Sequence, residues 1–120
     1  MKYEPRHLAA MYDCLRQLPP FDKWGLPASE WVVFELPNRK DVMGEFISIA
    51  DPTAQYKIKI SALLHDHTFN IMLTLAHEML HLVQTIQKTS TPAQHNQDFR
   101  QRAKLVCRMH GWDAKLFIGG

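Results

Sequence analysis

The spacing of apolar positions changes along the chain, and each change marks a different element. Leu8, Met11, Leu15 and Leu18 recur at helical spacing, which predicts an amphipathic helix from Pro5 to Leu18, stopped by Pro19 and Pro20 and laid over a sheet. Phe21 to Ser29 reads as a loop in which Trp24 is a packed anchor rather than a lid. Three strand candidates follow, Trp31 to Leu36, Met43 to Ala50 and Gln55 to Ser61. In the last, Tyr56, Ile58 and Ile60 alternate with Lys57 and Lys59, as a sheet with one buried face requires. Turn residues at Asn38-Arg39-Lys40-Asp41 and Asp51-Pro52-Thr53 join these runs into an expected antiparallel meander. Ile71 to Ile86 is apolar nearly all round, so a buried central helix is expected from a cap near Asp66 to about Lys88. Breakers at Thr89-Ser90-Thr91-Pro92 precede a second helix, Asn96 to about His110, which Gly111 ends. Its core stripe is Phe99, Ala103, Val106 and Cys107. The class is α+β, a single domain over residues 1–120.

The central helix carries His77-Glu78-Met79-Leu80-His81. Residues four apart share a helix face, so His77 and His81 can grip one ion. Glu78 stands next to them as the general base of a hydrolytic site. Two imidazoles and a carboxylate in so apolar a helix need partners, and a cation satisfies all three together. A catalytic zinc takes three protein ligands, so a third is required. The short-spaced pattern asks for Gly and His three and six residues beyond His81, where Gln84 and Gln87 stand. A downstream glutamate is excluded, because no Glu follows Glu78. His95, His110, Asp98 and Asp113 remain, and His95, just after the turn, is the best placed.

The run from His77 to His81, followed by His95-Asn96-Gln97-Asp98-Phe99, resembles the SprT-like (Spartan-type) metalloprotease domain over about Ser61 to Trp112. That family's pattern is HExxH followed by a third His in an H-G-x-x-F context. The resemblance implies a minimal zincin-like fold with an N-terminal helix, a small three-stranded, mostly antiparallel sheet, an active-site helix and a C-terminal helix. It implies Zn2+ held by His77, His81 and His95, with Glu78 catalytic and Phe99 an aromatic anchor. Asn96 stands where the family has Gly, and Asn too accepts left-handed or capping conformations. The C-terminal zinc ribbon of CxxC pairs found in many relatives has no counterpart here.

The expected reaction is peptide-bond hydrolysis by a Glu78-activated water on zinc, with a protein or peptide lying extended along a sheet edge. Arg100, Lys104 and Arg108 lie four apart on the last helix; with a net charge of only +2 they read first as a solvated face. The family's association with DNA makes them also a candidate phosphate-contacting row. Cys14 and Cys107 form no CxxC pair and read as free thiols. No signal-peptide core and no membrane span are expected, since the longest apolar run holds His77, Glu78 and His81; an intracellular, cytoplasmic or nuclear, setting follows. Among the remaining histidines His7 reads as surface, and His65 and His67 as caps or groove borders. Tyr56 and His110 are candidate oxyanion stabilisers outside the assigned site. Two other functions fit the residues: a non-catalytic, zinc-stabilised binding domain, and a repressor-cleaving regulatory metallopeptidase with Asp98 as an acidic third ligand.

Overall fold

A computed structural model describes residues 2–49, 56–63 and 67–119. The first helix, α1 (Pro5–Arg16), opens with Pro at its first turn and closes a reciprocal capping box between Glu4 and His7. It buries Leu8, Tyr12 and Leu15. Two short 3-10 turns, Phe21–Lys23 and Ser29–Trp31, lead into the sheet. Trp24 packs edge-on against Phe21 and carries the Arg102 guanidinium over its ring at 5.0 Å, so it is the anchor expected.

The strands are β1 (Val32–Glu35), β2 (Gly44–Ser48) and β3 (Tyr56–Ile60). The α+β class holds, but the meander does not. The order is β1-β3-β2, with β3 antiparallel to β2 and parallel to β1. In a meander β1 and β2 would pair. Here Phe34 and Phe46 both register with Ile58, so the third strand enters between the first two and brings its alternating Ile58 and Ile60 to the centre of the core. Both β1 and β2 are therefore edge strands among the described residues. The proposed turn at 51–53 and the outer ends of the two flanking strand spans, Ala50 and Gln55, lie outside the described residues.

The central helix α2 (Thr68–Gln87) packs on β2 and β3 and against every other helix. It buries Ile71, Leu75, Ala76, Met79, Leu80, Leu82 and Val83, as its apolar sequence requires. His67 is its N-cap; Asp66 and His65 lie outside the described residues. Lys88 closes it in the left-handed conformation, φ 59°. Helix α3 (Gln97–His110) starts on Asn96, whose side chain accepts from the Phe99 amide, and stops on Gly111, φ 72°. A short last helix, α4 (Ala114–Ile118), was not expected from the sequence and docks Phe117 onto α2 and α3. Both thiols are free; Cys14 is exposed and Cys107 buried.

Candidate metal centre

One turn of α2 sets His77 below His81, their ring centroids 5.1 Å apart. The chain then reverses and brings His95 to them: its centroid lies 4.9 Å from His77 and 5.5 Å from His81. Phe99 lies 5.0, 4.7 and 4.6 Å from the three rings and forms a dry floor beneath them. One donor atom from each imidazole lies within 4.8 Å of the others, close enough for all three to hold one metal ion.

The bend that delivers His95 is clamped by polar groups. Gln84 is almost fully buried, and its amide donates to Asn96 Oδ1 at 2.9 Å and Asp98 Oδ2 at 3.0 Å. Thr89 and Arg102 donate to the same Asp98 oxygen, at 2.8 and 2.9 Å. Asn96 Nδ2 returns a bond to the Thr89 carbonyl at 3.1 Å. Burial raises the proton affinity of Asp98, but the bonds from Arg102, Gln84 and Thr89 outweigh it and hold the carboxyl below its ordinary value. Asp98 is thus the hub of the loop clamp and takes no place in the histidine cluster. Asn96 fits its position because one side chain both caps α3 and ties the loop.

Electrostatics favour neutral rings. Burial lowers the pKa of His77, with a further push from His95. Burial and the neighbouring His77 and His95 bring His81 down to about 4, and burial together with Arg100 lowers His95. Neutral imidazole is the ligand form. His77 is also fixed in tautomer: its Nδ1 sits 2.8 Å from the Phe117 carbonyl, which can only accept, so Nδ1 carries the proton and Nε2 keeps its lone pair. That Nε2 lies 3.2 Å from Nε2 of His95. Two nitrogens on a tetrahedral zinc, each about 2.0–2.1 Å away, stand ~3.3 Å apart. The donor set therefore fits such an ion.

Glu78, 6% exposed, opens on the same cleft of about 850 Å³. Burial, aided by Glu45, raises its pKa to about 8; a dication beside it would pull the value back down. Its room is made by Gly44 on β2. A Cβ there would stand 2.7 Å from Thr74 Cγ2 and 3.0 Å from Glu78 Oε2. The far wall is α4 with its C-cap, which contribute Leu116, Phe117, Ile118 and Gly119. Neither Gly44 nor α4 was singled out by sequence reasoning. For α4 a signal existed: Asp113, whose side chain accepts from the Leu116 amide, precedes an apolar run that ends on Gly119.

Other candidates fall elsewhere. Tyr56 stacks on Phe46, and His110 Nε2 bonds the Pro19 carbonyl at 2.6 Å; neither lines the cleft. Arg100, Lys104 and Arg108 are exposed along α3, with Arg100 bonded to the His95 carbonyl. No described helix is long and apolar enough to cross a membrane. No family model, curated protein or solved structure matches this chain, so the likeness to the SprT-like domain rests on the motif residues alone.

Proposed function

We propose that this protein is a zinc-dependent endopeptidase. The observation that carries the reading is Glu78: a buried carboxylate, next in the chain to one imidazole of the cluster, facing the cleft that His77, His81 and His95 share. A purely structural metal site has no use for such a group. Zn2+ held by the three imidazoles supplies Lewis acidity, making water easier to deprotonate and a carbonyl easier to attack. Glu78 accepts the proton of the attacking water and returns it to the nitrogen of the leaving amine. Phe99, fully buried, closes one side of the three rings with apolar surface.

The shape of the cleft supports an extended peptide as substrate. Edge strand β2 forms one wall through Gly44, Glu45 and Phe46, so its outer edge, which pairs with no strand among the described residues, can pair with a substrate backbone and ask little of its sequence. Val42 and Met43 on this side, and Leu116 on the other, expose apolar surface, Met43 at 50% and Leu116 at 74%. Large apolar side chains of an unfolded protein match these rims. DNA-bound protein is the second substrate class to offer, because the exposed Arg100, Lys104 and Arg108 row supplies phosphate contacts.

The test is proteolysis of an unfolded protein, free and DNA-bound, by the full chain with and without chelator, paired with elemental analysis. Glu78→Gln is expected to lower hydrolysis by about 10²–10⁴-fold while metal content stays at the parent level. Equal activity in parent and variant would refute the general-base role. A parent that holds metal yet cleaves nothing would instead support the zinc-stabilised binding domain.

A further inference from the structure

We propose that the short helix α4 is a positioning element of the cation site, so that its docking and cation binding strengthen each other. The contact responsible is the main-chain carbonyl of Phe117 on Nδ1 of His77, 2.8 Å across a separation of 40 residues. A carbonyl cannot donate, so this bond selects the Nδ1–H tautomer and turns Nε2 of His77 towards Nε2 of His95. With the bond broken, the ring is no longer held in that tautomer and its proton can move to the ligand nitrogen. Such orienting partners set metal affinity by about 10–100-fold.

The carbonyl is held in place by the side chain of the same residue. Phe117 is 2% exposed, its ring 5.9 Å from both Trp112 and His77. Trp112 in turn meets Phe69 on the first turn of α2 edge to face. The helix itself is one turn long, capped by Asp113 and closed by the Phe117 amide on the Asp113 carbonyl and the Gly119 amide on the Lys115 carbonyl. A helix of this length does not persist without docking, so its stability is available to be shifted by the cation. Linkage makes the effect reciprocal. The inference requires the three imidazoles to hold a cation, as the proposed function does, but it is independent of hydrolysis.

The test reads metal affinity and amide hydrogen exchange in the full chain, with Zn2+ as the probe. Adding Zn2+ is expected to slow exchange at the amides of Phe117 and Gly119. Phe117→Ala, and separately truncation after Asp113, should weaken Zn2+ binding by about 10–100-fold. Lys115→Ala, on the exposed side of the same helix, should not. A folded truncation variant that binds Zn2+ as tightly as the parent would overturn the proposal. Should truncation prevent folding, parental exchange rates at Phe117 and Gly119 that ignore Zn2+ would overturn it equally. A protein that binds the ion with this coupling but cleaves nothing would leave the inference standing and remove the peptidase reading.

Discussion

The α2–α3 corner and the β2 and α4 walls face the same cleft, yet they are built by different means. In the corner, every group is a side chain with a specific chemistry: three imidazoles, the Glu78 carboxylate and the Gln84, Asn96, Thr89, Asp98 and Arg102 clamp. In the walls, the decisive groups are a missing Cβ at Gly44 and a main-chain carbonyl at Phe117. The corner decides what can be bound. The walls bear on the corner through those two contacts, on Glu78 and on the ring of His77.

The widest separation between them is expected from His95→Ala set against Asp98→Ala. His95→Ala should lose most of the metal and leave the melting temperature of the metal-free protein close to the parent's. Asp98→Ala removes the acceptor that Gln84, Thr89 and Arg102 share, leaving Gln84 its bond to Asn96 and Arg102 its bond to Gln87, and should cost about 2–3 kcal/mol of stability, read by denaturant unfolding. Metal loss in Asp98→Ala as complete as in His95→Ala, with no loss of stability, would assign Asp98 to the ion instead. The same carboxyl carries a pH signature. Its folded pKa lies below the ordinary 3.8, so the stability it contributes is fully present above about pH 4 and is lost as pH falls through the depressed folded value. Asp98→Asn should flatten that acid limb.

Gly44→Ala probes the opposite side. Its added methyl meets Thr74 Cγ2 and Glu78, so about 1–3 kcal/mol of stability should be lost through overpacking. On the peptidase reading, hydrolysis should fall about tenfold or more through displacement of Glu78, with metal affinity unchanged. Thr74→Ser in the same chain removes the nearest clashing methyl and should restore part of the stability. The smallest effect belongs to Lys88→Gly. Lys88 is exposed and left-handed, and glycine there should add up to about 1 kcal/mol without altering the cleft. A loss of stability would show that the Lys88 side chain supports the turn towards His95.

The same division explains what was legible in the sequence. The corner is local: His77 and His81 follow helical spacing, and the breakers at Thr89 to Pro92 with Asn96 as cap announce the turn that returns His95. The strands were legible as runs of alternating residues, but their order was not. Short turns favour neighbouring strands, and nothing in Val32–Glu35 records that β3 rather than β2 lies beside it. Gly44 looks in the sequence like an ordinary strand glycine, because its meaning comes from Glu78, 34 positions away in the numbering. The Phe117 carbonyl is present in every residue type, so no composition could mark it. Asp98 was readable as a carboxylate of the right kind, and only its three donors show where it is used.

His77 and His95 are 18 residues apart, so an ion joining them ties a ring within one helical hairpin. It does not staple the sheet to the helices. Chelation of this kind constrains only a short stretch of the unfolded chain, and loop-closure entropy gives it less leverage than a bridge between distant segments would have. Once the three imidazoles hold an ion, stripping it should accordingly loosen the hairpin near its tip while β1, β2 and β3 keep their pairing, leaving a molecule that is folded and able to be recharged.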